Sequence, residues 1–176
     1  RFALAAKAGF KGVEFLFPYE HPAAEIAARL KDNGLQQVLF NAPAGDFAKG
    51  ERGMAAIPGK QAAFRESIKL ALEYATALAC PRLHIMAGLK PEGVARDTLT
   101  AVYGANLAYA AEECAKVGVK PIIEPINHRD IPGFFLNTTD QAAAIIAAIG
   151  PEKLGMQFDL YHCQITEGDV VKRVEK

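Results

Sequence analysis

The stretch IIEPINH (residues 122–128) places a carboxylate, Glu124, at the end of a very apolar run. A short apolar run rich in β-branched residues is typical of a buried strand. A charged carboxylate at such a position is costly unless a cation, hydrogen bonds or a proton accompany it. Glu124 is therefore a candidate metal ligand or general base, and a structural carboxylate paired with a Lys or Arg is the alternative.

A second stretch, MQFDLYH (residues 156–162), repeats this pattern on the next apolar run. Asp159 lies near the end of this predicted strand, and His162 follows where the chain is expected to turn. For His162, the alternative is a partly buried histidine that hydrogen-bonds the backbone. Two oxygen ligands on adjacent strands suit a hard or borderline divalent ion such as Mg²⁺ or Mn²⁺. The sequence thus predicts a metal site that contains Glu124 and Asp159.

Outward from these stretches, short β-rich runs alternate with longer helical patterns. This alternation predicts parallel strands joined by helical crossovers, either in a closed barrel or in an open doubly wound sheet. No dinucleotide fingerprint or Walker A loop follows a strand, so no nucleotide cofactor is expected. The predicted strands cover residues 12–17, 36–41, 82–87, 119–126 and 154–160. The predicted helices cover residues 23–31, 61–78, 97–116 and 138 or 139 to 149, and Glu167 is predicted to open the last helix.

Polar residues at the ends of the predicted strands favour the (β/α)8 TIM barrel, although open α/β sheets also bind ligands there. These residues are Asn41, Glu124, Asn127, Asp159 and His162. A full barrel usually needs roughly 250 residues. We therefore expect residues 1–176 to form a single TIM-barrel domain that is truncated at both ends and covers roughly units two to six.

The composition excludes several classes of protein. Twenty basic and 20 acidic residues cancel, so no nucleic-acid partner is expected. Charges or glycines interrupt every apolar run before it reaches membrane-spanning length, so no membrane partner is expected either. The 3 cysteines are odd in number and widely spaced, which favours a reducing compartment such as the cytoplasm.

Two further positions are open to two interpretations each, and a third has one expected role. Residues 44–59 form a long loop, in which Arg52 either clamps a substrate carboxylate or belongs to a solvated turn. Glu14 lies inside a predicted strand and either faces the barrel interior or pairs with a charge on a helix. His84, also within a strand, is expected to be a buried histidine with its hydrogen bonds satisfied.

Taken together, these segments resemble the hydroxypyruvate isomerase family, within the wider superfamily of xylose-isomerase-like barrels. The family includes close relatives that are 2-oxo-tetronate isomerases. The matching stretches are GVEFLFPY (12–19), NAPAGDFAKGERGMAAIPG (41–59), IEPINHRDIPGF (123–134) and QFDLYHCQ (157–164).

The resemblance implies a divalent metal held by Glu, Asp, Gln and a second Glu. Glu124 matches the first Glu, which is also an acid–base residue, and Asp159 matches the Asp. The Gln and the second Glu are expected beyond Lys176. His162 matches a substrate-contacting histidine, Arg52 is implied to help hold the substrate carboxylate, and the strand-end residue Asn41 is a further candidate for substrate binding.

The implied reaction interconverts hydroxypyruvate and 2-hydroxy-3-oxopropanoate (tartronate semialdehyde) by metal-assisted proton transfer through an enediolate. A 2-oxo-tetronate isomerase, a ketose 3-epimerase or a dehydratase on the same barrel would use similar residues. A DNA-repair nuclease is disfavoured by the zero net charge and the 4 histidines. A non-catalytic sugar-acid binding protein is a further alternative. The expected partners are a small hydroxy-keto acid and, through the exposed barrel helices, a second copy of the chain.

Overall fold

A computed structural model describes residues 1–175, and its strands alternate with helices along the chain. The strands are β1 (Gly12–Glu14), β2 (Gln36–Asn41), β3 (Arg82–His84), β4 (Lys120–Ile123) and β5 (Gly155–Met156). The helices are α1 (Phe2–Lys7), α2 (Ala23–Asp32), α3 (Gln61–Ala77), α4 (Arg96–Lys116), α5 (Thr139–Ile149), α6 (Leu160–Thr166) and α7 (Val170–Glu175), with a 3-10 helix over Phe47–Lys49. None of the helices within residues 1–175 has the length and apolar character needed to cross a membrane.

The five strands form one parallel sheet whose spatial order, β1-β2-β3-β4-β5, is the order of the sequence. A doubly wound sheet reverses its strand order at a switch point, whereas a barrel adds each strand beside the preceding one. The sequential order therefore excludes the doubly wound alternative for residues 1–175 and agrees with the predicted barrel. Because all strands run the same way, residues that follow their carboxyl ends share one mouth.

Four of the five strands are shorter than predicted because the chain leaves the sheet early. β1 ends at Glu14 rather than at residue 17, and β3 ends at His84 rather than at residue 87. β4 ends at Ile123 rather than at residue 126, and β5 ends at Met156 rather than at residue 160. One more hydrogen bond joins them, from the N–H of Gln157 to the carbonyl oxygen of Ile123 at 2.9 Å. The remaining residues of the two predicted strands therefore turn into the mouth of the sheet, where they can contact a ligand.

A helix that the sequence did not predict follows β5. Asp159 was expected within a strand, but it is the N-cap of α6. The prediction that Glu167 opens the last helix is wrong, because Glu167 is the C-cap of α6 and α7 begins at Val170. Gly168 and Asp169 separate the two helices with φ angles of 69° and 48°. Backbone in this left-handed region cannot continue a right-handed helix.

The hydrophobic core lies between the strands and the helices and holds the strand ends in place. Phe40, Leu83 and Ile123 come from β2, β3 and β4, and at most 1% of each is exposed. On α4, the buried ring of Tyr103 meets Phe135 edge-on, with 5.8 Å between the ring centroids. Removal of a fully buried side chain of this size typically costs about 2–5 kcal/mol of stability. This packing fixes the positions from which the site residues project.

The second half of the long loop over residues 44–59 is packed onto the neighbouring strand ends, whereas residues 45–49 are exposed to solvent. Ala55 and Ala56 within it are fully buried. The side-chain amide of Asn106 donates to the carbonyl oxygen of Ala55 at 2.8 Å. The N–H of Ala56 donates to the carbonyl oxygen of Ala87, also at 2.8 Å. The loop is therefore anchored to α4 and to the segment that follows β3.

Gly53 makes this anchoring sterically possible. Its φ angle is +118°, a conformation that L side chains rarely adopt. A Cβ atom at this position would lie 2.3 Å from the carbonyl oxygen of Met86. Only glycine therefore lets the loop backbone approach the chain beyond β3 so closely.

Candidate metal centre and substrate cavity

A cavity of about 410 Å³ lies at the carboxyl ends of the strands. Its polar wall residues include Glu14, Asn41, His84, Glu124, Gln157 and His162. Its apolar wall residues include Phe17, Phe40, Phe47 and Ile126. A concave, mostly apolar wall with a few converging polar groups is typical of a site for a small molecule.

Three of the predicted site residues come together at this mouth. Glu124, Asp159 and His162 each offer one ligand atom, and these atoms lie within 4.8 Å of one another. Glu124 directly follows β4, Asp159 follows β5 after a short connection, and His162 lies in the first turn of α6. Oxygen and imidazole ligands converging from adjacent units could hold a divalent cation.

The electrostatics of Glu124 fit such a cation. Only 7% of this residue is exposed. Burial and, after it, the negative charges of Asp159 and Glu14 together raise the pKa of its carboxyl group to about 8. The imidazole Nδ1 of His84 lies 3.9 Å from its Oε2 atom, which is beyond hydrogen-bond range. A bound cation stabilises acids that are clustered and partly buried. The ligand atoms of this cluster and its negative charge therefore both fit a divalent metal.

Asp159 has a structural role beside its candidate role as a ligand. Its Oδ1 atom accepts hydrogen bonds from the N–H of Tyr161 at 2.7 Å and from the N–H of His162 at 3.0 Å. Asp is a favoured N-cap because its oxygen satisfies N–H groups that have no partner inside the helix. A carboxylate has a second oxygen, so Asp159 can cap α6 with Oδ1 and offer Oδ2 to a cation at the same time.

Asn41 and His84 form a buried pair in the wall of the cavity. Nδ1 of His84 lies 3.0 Å from Oδ1 of Asn41. An amide oxygen can only accept, so His84 carries a proton on Nδ1. Burial lowers the pKa of His84 to about 4, with the charge of His162 as the second cause, and the ring is neutral. His84 is buried as the sequence predicted, but the prediction that its hydrogen bonds are satisfied is wrong, because its buried Nε2 atom has no hydrogen-bond partner within residues 1–175. Its place beside Glu124 was not predicted.

Asn127 is fully buried and connects the candidate site to the loop after β4. Its Oδ1 atom accepts from the N–H of Arg129 at 3.0 Å and from the N–H of Asp130 at 2.8 Å. Its Nδ2 atom lies 3.0 Å from Oδ2 of Asp130 and 2.7 Å from Nδ1 of His162. From the sequence, Asn127 is identifiable only as a polar residue at a strand end. The sequence feature that favours this turn is the Asn itself, because an Asn side chain can hydrogen-bond the backbone two residues further on.

Arg52 is not among the cavity wall residues in the described part of the chain. Its guanidinium donates to the carbonyl oxygens of Phe47 at 2.9 Å and of Glu51 at 2.8 Å. The guanidinium carbon lies 3.9 Å from the centroid of the Phe47 ring. Phe47 itself lines the cavity and meets Phe17 edge-on at 5.1 Å. In this conformation Arg52 therefore supports an aromatic wall residue.

Two other residues add polar atoms to the cavity. Glu14 lines the cavity, and its negative charge raises the pKa of Glu124. Of the two interpretations of Glu14, the structure therefore supports the one in which it faces the barrel interior. Gln157, which the sequence analysis missed, lies two residues before Asp159 in the same wall. Its Oε1 atom is buried without a hydrogen-bond partner in residues 1–175. A buried unpaired acceptor is costly, so this oxygen is available to a ligand.

Comparison with known proteins places the chain among named isomerases. Residues 2–176 match the family described as Xylose isomerase-like TIM barrel. The chain is 55% identical over 176 residues to a 2-oxo-tetronate isomerase of Cupriavidus necator, covering 100% of this chain and 68% of that protein. It is 44% identical over 170 residues to a hydroxypyruvate isomerase of Escherichia coli, covering 97% of this chain and 66% of that protein. The chain thus spans about two thirds of the length of these relatives.

Solved structures show the same fold. One described as an AP endonuclease, family 2, from Brucella melitensis has a TM-score of 0.96 at 46% identity, covering 99% of this chain and 67% of that chain. An L-ribulose 3-epimerase has a TM-score of 0.74 at 25% identity, covering 94% of this chain and 56% of that chain. The predicted TIM barrel, of which this chain covers a portion, is confirmed.

Proposed function

The chain belongs to the xylose isomerase-like TIM barrel family, and we propose that its protein is an isomerase of a short hydroxy-keto acid. Isomerase is also the class named for its curated relatives. The observation that carries the proposal is the convergence of Glu124, Asp159 and His162 at the mouth of the cavity. The first proposed reaction interconverts hydroxypyruvate and 2-hydroxy-3-oxopropanoate.

Glu124 and Asp159 are the residues that would hold a divalent cation, and Mg²⁺ or Mn²⁺ suits their carboxylate oxygens best. The raised pKa of Glu124 supports this assignment, because it reflects burial beside further negative charge. When bound, such an ion supplies Lewis-acid polarisation of the substrate's carbonyl and hydroxyl oxygens.

Glu124 is also the proposed acid–base group. Its carboxylate removes a proton from the hydroxymethyl carbon beside the carbonyl, which leaves an enediolate. A second acid returns a proton to the neighbouring carbon, while the hydroxyl proton passes from one oxygen to the other. Burial and neighbouring negative charge raise the pKa of Glu124 without a cation, and a bound cation would lower it again, which would leave the carboxylate available as a base near neutrality. The aromatic wall formed by Phe17, Phe40 and Phe47 shields the enediolate from water.

The proposed substrate contacts are supported to different degrees. His162 and Asn41 both line the cavity, so either can reach a substrate oxygen directly. Arg52 would have to leave the Phe47 ring, over which it now lies, to pair with a substrate carboxylate. Its role as a carboxylate clamp therefore stays a prediction.

A second candidate substrate is a four-carbon 2-oxo acid. It is favoured by the 55% identity to the protein named 2-oxo-tetronate isomerase, compared with 44% to the one named hydroxypyruvate isomerase. The chemistry would be unchanged, because the carbonyl and the neighbouring hydroxyl carbon are the same in both substrates. The extra carbon only has to fit within the cavity of about 410 Å³.

Three other functions have weaker support. A ketose 3-epimerase would need a longer sugar in the same site, and a similar fold occurs in a solved L-ribulose 3-epimerase. A nuclease, the name given to the Brucella structure, would need basic surface charge, whereas this chain has a net charge of zero. A non-catalytic sugar-acid binding protein would have no need for acids clustered within 4.8 Å of a histidine.

We also propose a cytoplasmic location for the protein. Cys80, Cys114 and Cys163 are all free, buried thiols, as expected in a reducing compartment. Association of two copies through the barrel helices stays a prediction.

Proton NMR of the complete protein with hydroxypyruvate in D2O tests the proposed function. Mg²⁺ or Mn²⁺ is added first, and a chelator is added afterwards. We expect conversion to the aldehyde isomer, deuterium incorporation at the carbon that receives the proton, and loss of both with the chelator. A four-carbon 2-oxo acid is run in parallel to compare the two substrates.

Each outcome of this assay has a separate meaning. Turnover of only the four-carbon acid would keep the mechanism and replace the substrate. Turnover that the chelator does not affect would contradict the metal site at Glu124 and Asp159. No turnover and no metal binding with either acid would overturn the isomerase proposal and favour a binding protein.

A further inference from the structure

The orientation of the Asn127 amide is determined by its own hydrogen bonds. Its Oδ1 atom faces two N–H donors, those of Arg129 and Asp130, at 3.0 and 2.8 Å. Its Nδ2 atom faces the carboxylate of Asp130 at 3.0 Å. A flipped amide would bring its NH₂ group against two N–H donors and its oxygen against a carboxylate. Only the observed orientation satisfies all of these partners.

This orientation fixes the proton on the neighbouring imidazole. Nδ2 of Asn127 can only donate, and it lies 2.7 Å from Nδ1 of His162. The main-chain N–H of Asn127 also points to the same Nδ1, at 3.5 Å. Nδ1 therefore faces two donors and must be the acceptor. A neutral His162 then carries its single proton on Nε2.

We propose that Asn127 is a positioning residue that holds His162 as the Nε2–H tautomer, so that His162 donates a hydrogen bond to a substrate oxygen and is not a third metal ligand. This inference rests on the proposed function for the identity of the acceptor. Nε2 is the only imidazole nitrogen left for a ligand, because Nδ1 is occupied by Asn127. A nitrogen that carries a proton has no lone pair for a metal. The three-residue cluster then divides into two acids for the cation and one donor for the substrate.

The network behind Asn127 strengthens this arrangement. Asp130 accepts hydrogen bonds from the side chains of Asn127 and Tyr161, and these lower its pKa. Asp130 is therefore an ionised acceptor that keeps Nδ2 of Asn127 in place. Asn127 itself is fully buried, so its amide depends on these protein partners, although Asp130 lies at the surface.

Long-range ¹H–¹⁵N NMR of the complete, metal-free protein tests the tautomer without any substrate. The spectrum is recorded at about pH 8, where an ordinary histidine is neutral, and His162→Gln assigns the signal. We expect one ring nitrogen of the protonated type at Nε2 and one of the unprotonated type at Nδ1. Addition of Mg²⁺ should leave the Nε2 proton in place. A proton on Nδ1, a doubly protonated ring, or loss of the Nε2 proton with Mg²⁺ would each overturn the proposal.

An exchange variant tests the consequence for the substrate. In N127D/D130N the polar groups change places, so the network keeps its partners and its net charge. The new carboxylate at position 127 can only accept, which forces the His162 proton onto Nδ1. D130N alone keeps the donor at Asn127 and is the matched control, expected to retain the Nε2–H spectrum.

Relative to D130N, we expect the exchange variant to lose at least about tenfold in kcat/KM, the value of one hydrogen bond to the substrate. Its affinity for Mg²⁺ should stay within about threefold, because Glu124 and Asp159 are untouched. An inverted tautomer with unchanged kcat/KM would overturn the donor role. If the exchange variant does not fold, the wild-type spectrum still decides the tautomer. If no substrate is turned over at all, the proposed function fails while the tautomer is still measured.

Discussion

The Nδ1 atom of His84 lies 3.0 Å from the Oδ1 atom of Asn41, and the two buried residues occupy paired positions of β2 and β3. The parallel register brings together two polar side chains that are 43 residues apart in sequence. Because both are removed from water, each depends on the other for a hydrogen-bond partner. This pair forms a rigid wall of the cavity next to Glu124.

We expect Asn41→Ala and His84→Ala to be energetically coupled. Each single substitution leaves a buried polar group without a partner and should cost about 2 kcal/mol of unfolding free energy. The double variant should cost at least about 1 kcal/mol less than the sum of the singles. Urea unfolding of the four metal-free proteins measures this coupling. Arg82, which is exposed, and its half-buried strand partner Lys120 serve as a control cycle. Additivity at the buried pair would contradict the structure.

Glu124→Gln should remove metal binding and turnover together. The substitution preserves the size of the side chain and removes the charge that a cation and a base both need. We expect at least a tenfold loss of Mg²⁺ affinity by calorimetry and about a hundredfold or greater loss of kcat. Glu113→Gln, on the outer face of α4, is the control and should change neither quantity. Normal turnover in Glu124→Gln would show that the site is wrongly assigned.

Two substitutions at Asp159 should separate its two roles. Asp159→Asn keeps an oxygen that can cap α6, so the unfolding free energy of the metal-free protein should change little. Asp159→Ala removes the cap and should cost about 1 kcal/mol. Both variants lose the charge and should bind Mg²⁺ weakly. The role as a ligand would be refuted by wild-type Mg²⁺ affinity in Asp159→Asn.

Gly53→Ala should destabilise the protein far more than Gly59→Ala. Both glycines have positive φ angles, of 118° and 81°. An added Cβ would lie 2.3 Å from the Met86 carbonyl oxygen at Gly53, whereas no atom lies within 4 Å at Gly59. We expect about 1 kcal/mol of strain at Gly59 and at least about 2 kcal/mol more at Gly53. Thermal unfolding of the two variants provides the comparison, and equal losses would argue against the close packing of this loop.

The Cys114 thiol should make stability depend on alkaline pH. Burial raises its pKa from 9.0 to about 12, with the charge of Glu113 as a second cause. The stabilisation from the neutral thiol is present below about pH 9 and is lost as pH rises towards 12. At one unit above the unfolded pKa, the loss is about 1.4 kcal/mol. The difference in unfolding free energy between wild type and Cys114→Ala should therefore shrink between pH 8 and 10. A constant difference would contradict the burial of this thiol.

The sequence predicted most of the fold because its periodic segments coincide with real elements. The strand over residues 36–41 has the predicted bounds. Thr138 caps α5 by accepting a hydrogen bond from the N–H of Gln141, and Gly150 ends this helix with a φ angle of 118°. These elements depend on local hydrogen bonding and apolar spacing, which the sequence displays directly.

α6 was missed because its first turn looks like the end of an apolar strand. In the segment QFDLYH (157–162) the aromatic and aliphatic residues favour a strand, while the capping bonds of Asp159 favour a helix. The helix forms here because β5 already ends at Met156, which leaves the residues that follow free to leave the sheet. Helix and strand propensities alone could not identify the end of β5, because tertiary contacts override these propensities.

The candidate site was predicted as a group of residues but not as a set of contacts. Glu124, Asp159 and His162 could be grouped because they follow adjacent strands. The position of Arg52 against Phe47 depends on how the long loop packs, and no periodic pattern describes that loop. Side-chain partners across strands likewise depend on the register, which a single sequence does not display.

The sequential strand order also bears on how the protein is made. Each strand pairs with the one that leaves the ribosome just before it, so the sheet can grow during translation by one strand and its helix at a time. Phe17 and Phe40 emerge well before Glu124 and Asp159. A nascent chain therefore presents its two acids only after these aromatic residues of the cavity wall have been synthesised.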